Sequence, residues 1–160
     1  MTTEKIAYSA SASITCTLTG LAASTTVGRQ STVVDNTANL YSDVLVTVGV
    51  ATNASTPAAG KACYVYFFAT EDLTNYDMDD AAPGVTDAAY TVNAASNLKG
   101  PGVISCPTAS KTYRKTFTLS SFFGGIVPPK WGIVVVNDTN NALGATAIGC
   151  SYTGITFTSA

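Results

Sequence analysis

Ala62-Cys63-Tyr64-Val65-Tyr66-Phe67-Phe68-Ala69-Thr70 is apolar in both phases of a two-residue repeat. Successive side chains of a strand point to opposite faces. Cys63, Val65 and Phe67 should then face one way, and Tyr64, Tyr66 and Phe68 the other. A strand of this kind needs cover on both sides. Its neighbours share the strand character. Residues 43–50 (DVLVTVGV) and 131–137 (WGIVVVN) are rich in β-branched residues, and 14–19 (ITCTLT) alternates apolar residues with threonines. Further strands are predicted at 31–35, 88–93, 103–106 (stopped by Pro107) and 112–120. The tail, 145–158, reads as one long strand or two short ones broken at Gly154. Between them lie turn clusters such as Gly100-Pro101-Gly102, Gly124-Gly125, Pro128-Pro129 and 138–141. No amphipathic helix stands out. Roughly eight to ten short strands with such punctuation predict an all-β chain folded as a single antiparallel β-sandwich, jelly-roll or Ig-like. Residues 1–13 read as an extended N-terminal arm available for an interface, and 14–160 as the sandwich domain.

The composition narrows the function. The chain has 160 residues, which suits one domain. Only 11% are charged, against about 25% in an average protein. Hydroxyls take their place: 25 Thr and 14 Ser together make about a quarter of the residues. A net charge of −2 gives no electrostatic reason to hold nucleic acid. The longest apolar runs fall well short of the roughly 20 residues that span a bilayer. The first residues, MTTEKIAYSASAS, lack an apolar run of signal length, so synthesis in a cytoplasm is expected. An uncharged, hydroxyl-rich exterior suits a protein that lives against other proteins.

Candidate sites are few. There is no histidine, so Ser-His and Cys-His pairs are excluded. No phosphate-binding glycine loop is present. The expectation is therefore a protein that is not an enzyme and carries no cofactor. Cys16, Cys63, Cys106 and Cys150 are too far apart for a C-x-x-C motif. Each lies in an apolar phase, which reads as four buried thiols, with one or two disulfides as the alternative. Six of the ten acids fall within residues 71–87. Of these, Asp77, Asp79 and Asp80 are weak candidates for a calcium-stabilised loop, against a plain solvated connection. The aromatics Tyr64, Tyr66, Phe67, Phe68, Phe122, Phe123 and Trp131 read as core, with a carbohydrate platform as the alternative.

Three stretches carry a resemblance: 21–32 (LAASTTVGRQST) through Asp35-Asn36, 61–66 (KACYVY), and 122–135 (FFGGIVPPKWGIVV) with the downstream 152–154 (YTG). In their order they are similar to small virion structural proteins of tailed bacteriophages. The resemblance spans most of the chain. It implies a virion structural protein, located in the virion. Taken with the charge-poor, hydroxyl-rich β-sandwich, the expectation is a capsid decoration, or cement, protein bound to the major capsid protein or another virion protein and self-associating, with a trimer as the expected oligomer. The resemblance transfers no catalytic residue and assigns the thiols no role. Arg29, Tyr41, Arg114 and Trp131 are the interface candidates. A minor head or tail-fibre component and a cell-surface carbohydrate-binding module are the alternatives.

Overall fold

The chain winds up from its two ends toward its middle. The computed structural model describes residues 4–70, 72–77, 86–92, 97–146 and 148–159. In chain order the strands are β1 (Glu4–Tyr8), β2 (Ala12–Ile14), β3 (Val27–Gln30), β4 (Val34–Asp35), β5 (Asp43–Ala51) and β6 (Ala62–Thr70). They continue with β7 (Ala88–Thr91), β8 (Lys99–Ser105), β9 (Thr112–Thr118), β10 (Lys130–Asn137) and β11 (Cys150–Ser159). The helical content among these residues is one 3-10 turn, Leu119–Phe122.

Two antiparallel sheets result. One has the order β1-β11-β5-β9, with β2 also on β11; the other has the order β7-β3-β10-β6-β8, with β4 also on β10. β1 and β2 thus act as one interrupted strand, and so do β3 and β4. With β7 set aside, the first strand pairs with the last and the second with the penultimate. β5 pairs with β9, and β6 with β8 at the centre of the nest. β11 then lies beside β5, and β10 beside β6. Within the expected β-sandwich, this nesting is jelly-roll connectivity and not the Ig-like arrangement.

Burial follows from the alternation of side chains. Val44, Val46, Val48 and Val50 of β5 meet Val65 and Phe67 of β6 and Trp131, Ile133 and Val135 of β10 in the main core. β6 is covered on its other face too. Phe68 and Val134 are fully buried in a second, smaller cluster under Val33, Tyr66, Tyr76, Tyr90, Val92 and Leu98. The segment between β6 and β8 supplies most of that cover. At its centre Gly132 lies opposite Phe68, and a Cβ there would run into the ring.

Several boundaries differ from the sequence reading. The strand expected at 14–19 stops at Ile14, although Cys16 and Leu18 remain buried in the core. The backbone N–H of Thr17 goes to the Asp87 carboxylate instead of a ladder partner. Of the strand expected at 31–35 only Val34–Asp35 forms, as β4, and β3 (Val27–Gln30) lies ahead of the expected range. Ser31 sits between β3 and β4, and its hydroxyl accepts the Ile133 N–H, so a side chain fills the gap in the ladder. β11 runs through Gly154 without a break. Residues 4–8 of the expected arm form the edge strand β1, and β2 crosses the expected boundary at residue 13.

Candidate functional site

The four interface candidates do not converge. Trp131 is 0% exposed, which removes it from any surface. It lies on the inner phase of β10 with Ile133 and Val135, and meets Tyr152 edge to face at 5.6 Å between ring centres. Its Nε1 has no hydrogen-bond partner among the described residues. Arg29 is spent inside the molecule: Nε contacts Asp87 Oδ1 at 2.5 Å and the guanidinium also donates to the Asp87 carbonyl. Asp87 further accepts from the Thr17 hydroxyl and N–H. Hydrogen bonding from Arg29 holds the Asp87 carboxyl below its usual range, at about 2. Arg114 is exposed on the edge strand β9. Tyr41 lines a concave surface.

That surface is a groove of about 480 Å³ lined by Asn36, Tyr41, Leu40, Leu73, Val127 and Pro129, among others. Two loops shape it. In the first, the buried Asn36 side chain accepts the Tyr41 N–H and donates to the Tyr41 carbonyl, while the Leu40 N–H donates to the Asn36 carbonyl. This clamp holds Leu40 at φ 50 with 73% of its surface exposed. In the second, the Asp72 carboxylate accepts from the N–H groups of Thr74 and Asn75, the Asn75 side chain and the Thr70 hydroxyl. Those bonds, from Asn75 above all, keep its pKa well below the ordinary carboxylate range. They also hold Leu73 at φ 65 and 44% exposed. Left-handed backbone at a leucine costs about 1–3 kcal/mol and is found where the surroundings impose it. Two such leucines therefore face one groove, each presented by an Asn or Asp clamp.

A second apolar surface lies on the outer face of the β1 sheet. β5 turns its valines inward, so Leu45 and Thr47 face out, with Thr116 and Thr118 beside them on β9 and Thr153 and Ile155 on β11. The Thr47 and Thr116 hydroxyls hydrogen-bond across the ladder at 2.9 Å. At one end this face becomes apolar. Ile6 lies opposite Phe157 and Tyr8 opposite Ile155, and Ile6, Tyr8 and Phe157 are each more than half exposed. The Ser42 N–H, one residue past Tyr41, donates to the Ile155 carbonyl. Groove and apolar patch therefore lie at the same end of the sandwich, Tyr41 on the inner side of β11 and Ile155 on its outer side.

The remaining candidates have structural explanations. Among the described residues no three His, Cys, Asp or Glu side chains gather where they could share a metal ion. Asp77 donates its N–H to the Ala69 carbonyl; Asp79 and Asp80 lie outside the described residues. Most of the aromatic set is packed, while Tyr64 is half-buried and lines a concavity of about 550 Å³ with Val103 and Pro107. Phe67 stacks on Phe122 at 4.3 Å, and Phe67 and Phe68 are fully buried. All four cysteines are free and buried, and their thiols fall into two neighbouring pairs. Cys16 is raised above the usual thiol range by hydrogen bonding with Cys150 and by burial, while the same contact lowers Cys150. Cys63 and Cys106 repeat the pattern, with Cys63 raised and Cys106 lowered.

The leucines of the groove and the apolar end of β1 were not among the sequence candidates. Their one signal was the isolated apolar residue inside a polar turn, as in Asp72-Leu73-Thr74-Asn75. No family model, curated protein or solved structure matches the chain.

Proposed function

We propose that the chain is a structural protein of a bacteriophage virion, a decoration protein that binds the capsid shell and stabilises it through protein contacts. The observation that carries this reading is the gathering of exposed large apolar side chains at one end of the roll. Leu40 and Leu73 face the groove, and Ile6, Tyr8 and Phe157 lie on the outer sheet face at the same end. Fold stability does not require these residues outside, and two of them are held there against backbone preference. The same sheet face continues into Thr47, Thr116, Thr118 and Thr153, hydroxyls that dock with little electrostatic desolvation. Jelly rolls serve in viral shells among other roles, so the fold supports the reading by analogy only. Contacts that are weak singly become firm when a shell repeats them by symmetry. In this reading the partner is the major capsid protein or another virion protein, and copies associate with one another, as trimers.

The test is sedimentation of the purified protein with undecorated shells. The expected outcome is saturable binding at a copy number set by shell symmetry, with bound shells surviving heating that bursts bare ones. Sedimentation of the free protein reports the oligomer. A tight monomer without affinity for shells overturns the proposal, and a few copies at a single vertex point instead to a minor head or tail component. The carbohydrate-binding alternative has lost its main anchor, since Trp131 is inaccessible.

A further inference from the structure

We propose that the four cysteines form two built-in redox couples, Cys16–Cys150 and Cys63–Cys106, each of which closes to a disulfide in the folded protein. The proposal rests on strand register and is independent of the virion reading.

The two couples are constructed alike. In the β1 sheet Cys150 lies opposite Ile14, the last residue of β2. Cys16 follows two positions later, on the same inner phase, where the chain has already left the ladder. In the other sheet Cys63 lies opposite Ile104. β8 ends at Ser105, and Cys106 follows two positions after Ile104, again facing inward. In a regular ladder such diagonal neighbours sit too far apart to bridge. Here one strand of each pair ends before its cysteine, which frees that backbone to bring its sulfur to its partner. The two thiols of each couple thus lie on one inward phase of one sheet, close enough for each to shift the titration of the other. Sequence distance hides this, since the partners are far apart along the chain and close only in the roll.

The couples differ in access. Cys16 lines a surface concavity of about 220 Å³ together with Thr15, Leu18, Gly49 and Ile148. Cys63 and Cys106 are both 0% exposed. A small-molecule disulfide such as oxidised glutathione therefore reaches the Cys16–Cys150 couple first. Cys150, the thiol that contact with Cys16 favours as thiolate, attacks one sulfur of the oxidant and releases one glutathione thiol. Cys16 then gives up its proton, attacks the Cys150 sulfur and releases the second. One S–S bond forms in the protein as one breaks in the oxidant, and the two protons and two electrons leave on the two glutathione thiols. The buried couple closes by the same chemistry after local opening of the β8 edge, and so more slowly.

The test uses the whole native chain. It is exposed to oxidised glutathione, quenched with acid, then unfolded and alkylated for mass measurement and peptide mapping. Each closure is expected to lower the mass of the unalkylated protein by about 2 Da. Mapping should yield Cys16–Cys150 first and Cys63–Cys106 later, and no other pairing. The oxidised protein should melt at a higher temperature than the reduced one, and added dithiol should reverse the shift. In Cys16→Ser the Cys150 sulfur should instead hold a lasting glutathione adduct, while Cys63–Cys106 still closes. Crossed pairs such as Cys16–Cys63, or a lasting adduct on Cys150 in the unsubstituted protein, overturn the proposal. So do four thiols that all remain alkylatable. The peptide map of the unsubstituted protein decides the matter even if the serine variant fails to fold.

Discussion

At Gly154 the missing side chain is what seats Tyr41 against β11: a Cβ built there would meet the ring at 2.3 Å. Gly154→Ala should therefore lower unfolding free energy by about 1–3 kcal/mol, read from urea denaturation. Combined with Tyr41→Ala it should cost less than the sum of the two changes, because the clash disappears with the ring. Trp131 belongs to the same scale. Its replacement by Ala empties the centre of the core and should cost about 3–5 kcal/mol, enough to consume much of an ordinary domain's stability. Trp131→Phe should cost less, since it keeps the ring and removes the unpartnered indole N–H. Asp87 sets an acid limit. Its carboxyl titrates near 2 in the folded chain, below the roughly 3.9 of an unfolded aspartate. A depressed folded value means the stabilisation is complete above about pH 4 and is lost as pH falls toward 2. About 1 kcal/mol should disappear over that window after allowance for solvent screening. Asp87→Asn should flatten this portion of the acid-denaturation curve.

Among the elements, β1 is the one whose loss should separate binding from folding. It lies at the edge of its sheet with Ile6 and Tyr8 outward, and its neighbour supplies Phe157. Replacing Tyr8 and Phe157 together by Ser should weaken shell binding and self-association. The melting curve should hardly move, since exposed substitutions usually shift stability by no more than about 0.5 kcal/mol each. Strand positions were legible in the sequence where β-branched residues alternate or run on, as in β5, β6 and β10. The stretch 14–19 shows what that signal reports. Cys16 and Leu18 are buried and their threonine neighbours exposed, as the alternation implies. The backbone there nevertheless makes no ladder, because periodicity records which side chains go inside and says nothing of where the N–H groups go. The cover over Phe68 was legible as a need, from an apolar strand with two buried faces, but not as a set of residues. The groove was illegible for another reason. Leu40 and Leu73 matter through a left-handed backbone that Asn36 and Asp72 impose from neighbouring positions, and the pocket forms only when two distant loops meet. The cysteine couples were hidden by the same long-range closure, while the reading of Trp131 as core and not platform followed from its Ile-Val-Val-Val neighbours.

For the whole molecule the nested pairing governs how the fold forms. β1 cannot find β11, nor β3 find β10, until most of the chain has been gathered, and such non-local closure slows folding. Refolding should take about milliseconds to seconds rather than microseconds. Trp131 gives the signal, as its emission shifts to the blue on entering the core beside Tyr152. The same nest has a consequence for connectivity. Glu4 is the ladder partner of Ser159, so residues far apart along the chain lie side by side. A short linker could join residue 159 to residue 4, and the chain could be opened in the exposed turn at Gly124 and Gly125, where φ is 68 and 95 and a Cβ would meet no neighbour. Such a circular permutant would keep every pairing in both sheets. Conversely, bulky fusions placed before Glu4 and after Ser159 would crowd together over the β1 margin.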